Sequence, residues 1–148
     1  MTVTLQEITK DNWRMCAALD PGPANRDFIP SNLYALAESK FSPAFVPLGI
    51  YVDSVMVGFV MYNAQPEVDG SLHLYSLMID GRYQGRGYGT AALRLVLDRL
   101  GQLRSSSTVA LEYDRSNERA ARLYHRLGFY TVGESETGGT IAHIQLSE

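Results

Sequence analysis

Alternating apolar and polar residues from Val3 to Ile8 predict a first strand. Asn12 to Leu19 reads as a short helix capped by Asp11 or Asn12 and closed by Asp20-Pro21-Gly22-Pro23. A second helix is predicted after Pro30, where Leu33, Leu36 and Ala37 fall at i, i+3 and i+4 behind Ser31 as a cap. Phe41 to Pro47 holds two prolines and reads as a loop. Three strands follow: Leu48 to Val52 and Val55 to Tyr62, joined at Asp53-Ser54 as a tight hairpin, then Leu72 to Ile79 after a turn with Pro66 and Asp69-Gly70. A long helix runs from about Gly87 to Leu103 on the stripe Leu93, Val96, Leu97 and Leu100. Val109 to Tyr113 is strand-like, and Asn117 to Leu127 is amphipathic and stops at Gly128. Phe129 to Val132 and Thr140 to Leu146 complete the set. The order β-α-α-β-β-β-α-β-α-β-β predicts a mixed α/β fold.

The chain has 148 residues, 45% of them hydrophobic and 20% charged, with a net charge of −3. One folded domain over residues 1–148 is expected, and global disorder is excluded. The single cysteine, Cys16, excludes a disulfide framework and any multi-cysteine zinc site, and it reads as core packing. No metal constellation is present in the pattern. No run approaches the ~18 apolar residues of a membrane span, and the N-terminus lacks a signal peptide's basic start and apolar block, so a cytoplasmic setting is expected. Charge is uneven: residues 1–80 hold nine acids and four bases, whereas residues 81–148 hold nine Arg and seven acids. Such a chain can meet a cation on one side and an anion on the other. Its acidic balance and lack of a basic run argue against nucleic acid as a partner.

The most informative segment is Gln84-Gly85-Arg86-Gly87-Tyr88-Gly89, between a predicted strand and the long helix. Alternate glycines remove Cβ atoms where a ligand approaches the backbone and permit positive φ. Successive N–H groups there, with the unpaired donors of the helix N-terminus, converge on an anion. The spacing is neither that of the Walker loop, since Gly89 is followed by Thr90-Ala91, nor the dinucleotide G-x-G-x-x-G. A flexible turn entering a helix is the plainer reading of the glycines alone.

A second cluster, Asn117-Glu118-Arg119-Ala120-Ala121-Arg122-Leu123-Tyr124-His125-Arg126-Leu127-Gly128-Phe129, follows the next strand. Together the two clusters resemble the GNAT family of N-acetyltransferases, whose loop reads Gln/Arg-x-x-Gly-x-Gly/Ala and whose later helix reads Asn-x-x-Ala-x-x-Leu-Tyr-x-x-x-Gly-Phe. The segment Phe28 to Glu38, with Met78-Ile79-Asp80 and the loop, looks most like its bacterial spermine/spermidine acetyltransferase branch. The resemblance implies a mixed, mostly antiparallel sheet of about seven strands with flanking helices and a splayed fourth and fifth strand pair. It implies acetyl-CoA as the acetyl donor, with Gln84, Gly85, Arg86, Gly87, Tyr88 and Gly89 on its pyrophosphate. A bulge at Met78 and Ile79 would open the strand to the pantetheine arm through backbone groups. Asn117 is a helix cap, and the resemblance also brings it to the cofactor. Tyr124 is either a packed aromatic or the acid that protonates the departing thiolate. A homodimer is a further expectation, because dimers are common in the family.

The implied reaction is direct attack of a substrate amine on the thioester. An ammonium of pKa ~10 must first lose its proton, and the Ile79 N–H would steady the oxyanion. His73, which shares a strand face with Tyr75, and Glu112 on the facing strand are the candidate bases. A satisfied structural His and a solvated carboxylate are the alternatives. His125 and His143 read as surface or sheet residues. Glu38, Asp27 and Asp53 are candidates for an acidic acceptor cleft, with Tyr34, Tyr75 and Phe41 against the methylenes of a polyamine. Other amines (an amino acid, a drug, a protein N-terminus or Lys) and a non-catalytic acyl-CoA-binding domain are the competing functions.

Overall fold

A computed structural model describes residues 2–28 and 30–146, so Ile29 in the Phe28 to Glu38 segment lies outside the described residues. Seven strands form one sheet in the order β1-β2-β3-β4-β5-β7-β6. They are β1 (Val3–Glu7), β2 (Phe45–Val52), β3 (Val55–Asn63), β4 (Leu72–Ile79), β5 (Thr108–Tyr113), β6 (Tyr130–Glu134) and β7 (Thr140–Gln145). The helices are α1 (Trp13–Ala18), α2 (Asn32–Phe41), α3 (Tyr88–Leu103) and α4 (Glu118–Arg126). All neighbours are antiparallel except β4 and β5, which are parallel. The expected architecture is the observed one.

Two apolar clusters cover the two faces of the sheet. On one face α3 lays Ala92, Leu93, Val96 and Leu100, all 0% exposed, against Leu48, Ile50, Val60, Leu72 and Val109. Burying each of the larger aliphatic side chains contributes about 1.5–3 kcal/mol. On the other face Cys16 and Leu19 at α1 and Ala35 and Leu36 of α2 pack on Tyr51, Phe59, Met61 and Met78.

The strand after α2 begins at Phe45, so the loop expected over Phe41 to Pro47 is shorter than its prolines suggested. Pro47 is tolerated because β1 pairs only with Leu48–Val52, leaving β2 an edge at that point.

The feature that sets up the rest is an extra residue in β4. Met61 pairs with Ser76 and Tyr62 with Leu74, so Tyr75 has no partner on β3. An extra residue reverses the alternation beyond it. Leu72 and Leu74 belong to the α3 face, but beyond the bulge Leu77 and Ile79 do, while Met78 joins the α1–α2 face. The bulge therefore falls at Tyr75 and not at Met78 and Ile79, where the resemblance placed it. β4 and β5 pair only at Leu72↔Val109, His73↔Ala110 and Leu74↔Leu111, and they diverge from the bulge onward. The splay is thus a slot between β4 and β5.

Candidate active site

On the α3 face the slot opens into a cleft of about 230 Å³ bounded by Leu77 and Ile79, the loop from Tyr83 to Gly89, the first turn of α3, and α4. Gly85 and Gly87 sit at φ 79° and 82°, and a Cβ on either would meet nothing within 4 Å. They are glycines for their left-handed backbone. Gly89 has no such conformation, and a Cβ there would make only ordinary contacts with Ile79 and Leu123. With Gly87 as N-cap, α3 has no side-chain cap, so its first N–H groups face the cleft as an anion site. Tyr88 is buried at the head of the helix and lines the cleft. The Arg86 guanidinium lies 6.0 Å over the Tyr83 ring, and that of Arg82 lies 5.2 Å from the same ring.

The Gln84 side chain is spent inside the protein. Its Nε2 donates to Pro21 O at 2.7 Å and Ile79 O at 2.8 Å, while Oε1 accepts from Arg119 Nη1 at 2.8 Å and Asn25 Nδ2 at 3.4 Å. This one amide joins the α1–α2 connection, the end of β4 and α4. A second tie runs beside it, where Asp20 N donates to Asp80 Oδ2 and Gly81 N to Asp20 O. Burial pushes the Asp80 carboxyl up, but hydrogen bonds from Arg82 and the Asp20 backbone outweigh it and hold it below the usual range. It therefore stays ionised as a clamp.

Tyr124 is held by the end of α4. Gly128, at φ 107°, lets its own N–H reach His125 O at 3.1 Å and the Phe129 N–H reach Tyr124 O at 3.0 Å. That is a Schellman ending, whose usual apolar contact is made here by the Phe129 ring, 5.7 Å edge-on to Tyr124. The Tyr113 ring lies 5.6 Å from that of Tyr124, tilted by 39°. The side chain lines the cleft, and burial, with some help from Tyr113, pushes its hydroxyl up to about 12. It is a proton donor at neutral pH. At the other end of α4, Asn117 Oδ1 caps the Ala120 N–H at 3.1 Å, and the residue also lines the cleft. Arg119 and Arg126 line it too. The sequence reading passed over both, because they occupy unspecified positions of the helix motif.

The α1–α2 face carries the other candidates. His73 and Tyr75 lie together, rings 5.8 Å apart. His73 Nε2 is buried without a hydrogen bond, 3.9 Å from Asp69 Oδ1, and the neighbouring Ser76 Oγ is also buried and unpaired. Tyr75 stacks on Phe45 at 4.6 Å, and its hydroxyl donates to Glu67. Burial, that hydrogen bond and the charges of Glu67 and Glu38 push the hydroxyl up to about 12. Tyr34, Glu38 and Phe41 form an exposed stripe on α2, opposite its buried Asn32, Ala35 and Leu36. A hollow of about 480 Å³ lies beside them, walled by Phe41, Phe45, Asn63, Glu67 and Tyr75. Glu67 read only as part of a turn in the sequence, since it meets Tyr75 through the fold.

The structure does not bring the remaining candidates to these places. Glu112 accepts from Ser135 Oγ at 2.9 Å and lies where a Cβ on Gly139 would meet it, so the β6–β7 hairpin holds it. Asp53 turns the β2–β3 hairpin at the end away from Asn63, roughly 26 Å along β3, and so lies outside any acceptor cleft. Asp27 is exposed on a single 3-10 turn, Arg26–Phe28. His125 Nε2 lies 3.4 Å from Thr131 Oγ1, and His143 packs edge-on to Tyr130. Cys16 is fully buried, and that burial pushes its thiol up to about 12, which makes it a poor nucleophile.

Residues 5–129 match the acetyltransferase (GNAT) family. The spermine/spermidine N(1)-acetyltransferase of Bacillus subtilis (strain 168) is 31% identical over 144 residues, 94% of this chain and 95% of that protein. Among solved structures, the spermidine N-acetyltransferase of Vibrio cholerae, in complex with CoA and spermine, superposes with a TM-score of 0.76 at 16% identity, covering 97% of this chain and 95% of that one. An aminoglycoside acetyltransferase in complex with coenzyme A reaches 0.80, also at 16% identity, with the same coverage of the two chains. At such identities the two structures speak for the fold alone.

Proposed function

The chain belongs to the acetyltransferase (GNAT) family, and from that premise we propose that this N-acetyltransferase moves the acetyl group of acetyl-CoA onto a primary amine of a small polycation such as spermidine or spermine. The observation that carries the reading is the slot between β4 and β5, with an anion-accepting glycine loop on one side and an acidic, aromatic hollow on the other. The 31% identity to a spermine/spermidine enzyme along nearly the whole chain supports the same acceptor.

In this reading the amides of Gly85 to Gly89 and of the first turn of α3 hold the diphosphate of acetyl-CoA, with Gln84, Arg86, Tyr88 and Asn117 around it. The thioester arm lies along the free edge of β4 at Met78 and Ile79, where the Ile79 N–H faces the oxyanion. The amine enters from the α1–α2 face past Tyr34, Glu38 and Tyr75. Neither expected base stands beside the oxyanion: Glu112 is engaged by Ser135, and His73 lies six residues along β4 from Ile79, roughly 20 Å, so the proton leaves the amine through water. The ammonium gives its proton to water in the slot, the freed nitrogen bonds to the carbonyl carbon, and the carbon–sulfur bond breaks. Tyr124 then protonates the sulfur, and the second proton shed by the new amide nitrogen reaches the Tyr124 phenolate through water. A phenol near 12 is a weak acid toward a solvated thiolate, and the apolar wall that raises it disfavours a thiolate beside it as well.

We extend the proposal to a single catalytic domain, a cytoplasmic setting and a homodimer; no helix among the described residues is long and apolar enough to cross a membrane. The test is thiol release from acetyl-CoA with spermidine, spermine and a panel of monoamines, amino acids and peptides, each product identified by mass. Acetylated polyamine is the expected product. A protein that binds CoA and acetylates none of these amines would refute the proposal.

A further inference from the structure

We propose that Glu67 is the seat of a second ammonium group on the acceptor, so that the enzyme selects di- and polyamines over monoamines by charge at a distance from the reacting nitrogen. This rests on the amine-acceptor reading above and adds a site that lies on the β3–β4 connection, outside the motifs and outside the helix stripe already considered.

The site is built before any ligand arrives. Asn63 Nδ2 donates to Glu67 Oε1 at 3.0 Å, and the Tyr75 hydroxyl donates to the same oxygen. Asn63 is 8% exposed, and its own Oδ1 is fixed by the Gln65 N–H at 2.9 Å. With Oε1 held twice, Oε2 takes no hydrogen bond among the described residues, and Glu67 lines the hollow. The two hydrogen bonds hold the Glu67 carboxyl below its usual range, so it is anionic at any working pH.

Among the described residues no Lys, Arg or His nitrogen lies within 4 Å of either Glu67 or Glu38. His73 is the one basic side chain whose charge reaches Glu67. Two carboxylates, Glu67 and Glu38, therefore act on Tyr75. The walls supply what an alkylammonium needs besides charge. Phe45 and Tyr75 form a stacked aromatic pair, and Phe41 stands 87% exposed at the rim. An exposed Phe beside an unpaired carboxylate is a poor arrangement against water alone and a good one for methylenes ending in a cation.

The spacing selects the acceptor. Tyr75 sits at the apex of the splay, and Ile79 lies four residues along β4, roughly 13 Å away. An extended chain of nine single bonds, the span between the terminal nitrogens of spermidine, covers about 11 Å. A monoamine reaches the slot with its tail in the hollow and leaves Glu67 unpaired.

The experiment offers spermidine and butylamine together to one pool of acetyl-CoA and counts both products by mass, for the wild-type protein and for Glu67→Gln. Both amines meet the same enzyme molecules, so the product ratio does not depend on how much of the variant folds. The spermidine preference is expected to fall tenfold or more, the range of a lost charge-assisted hydrogen bond. A ratio unchanged within twofold overturns the inference while leaving acetyl transfer intact. Calorimetry on the CoA-loaded protein gives a second arm without turnover. Wild-type protein should bind spermidine more tightly than butylamine, and Glu67→Gln should erase the difference. Glu67-dependent binding with no acetylated product would sink the proposed activity but keep the site; equal binding of both amines by the wild type would sink the site.

Discussion

Replacing Gly87 by Ala tests whether the loop is a grip or merely a turn. Gly87 holds φ 82° as the N-cap of α3, with open space where its Cβ would stand. The substitution therefore brings no steric clash, only the cost of a left-handed alanine, about 1–2 kcal/mol. Gly138, at φ 88° in the β6–β7 turn and equally open, is the matched control. Each Ala variant should lose up to that amount of stability, or roughly 2–8 °C of Tm for a chain of this size. Their effects on CoA should differ. If the unliganded loop relaxes to relieve the strain, binding must restore it, and affinity falls by about 5- to 30-fold. The new methyl group also occupies space beside the amides proposed to meet the diphosphate, which moves affinity in the same direction. Isothermal calorimetry with CoA and thermal melts on both variants make the comparison. Equal CoA affinity in Gly87→Ala and Gly138→Ala would show that the diphosphate is held elsewhere.

Tyr124→Phe keeps both ring contacts and removes only the hydroxyl, so kcat should drop by about 100-fold or more while CoA affinity stays within about threefold; equal losses in both would assign Tyr124 to packing. Gln84→Leu removes two donations and two acceptances and should lower unfolding free energy by about 2–4 kcal/mol and weaken CoA together, read by denaturant titration and calorimetry; an unchanged midpoint would show that the tie is idle. Burial raises the Cys16 thiol from 9.0 to about 12, so the folded state keeps its proton longer than the unfolded one. The contribution is whole below pH 9 and drains away as pH climbs toward 12, amounting to about 2 kcal/mol by pH 10.5. Denaturant titrations at pH 7 and 10.5 should therefore show a pH-dependent loss about that much smaller in Cys16→Ala, and identical pH dependence would contradict the burial argument.

The two motifs were legible because each records a local requirement. Leu-Tyr-x-x-x-Gly-Phe spells out a helix ending in which Gly128 turns left-handed and Phe129 closes on Tyr124. The loop likewise needs Gly85 and Gly87 at positive φ. The bulge was not legible, because residues 72–79 carry apolar side chains at both parities and one extra residue leaves no mark in composition. Pro47 misled for the opposite reason, since a strong local signal was overridden where β2 has one neighbour. Glu38 and Tyr75 were readable as chemistry, but Glu67 was not, because its value comes from a partner eight residues away that only the β3–β4 turn brings close.

The unpaired Tyr75 of β4 also bears on how such an enzyme can be retuned. Past that residue, in the proposed reading, a single strand offers main-chain groups to the thioester and side chains to the amine, on the two faces that the bulge separates. Exchanging residues on the amine side can redirect the enzyme toward another acceptor without rebuilding how it holds its donor. The exceptions are Gln84 and Asp80, the two bolts that pass through the wall, where a change made for one substrate is felt by the other.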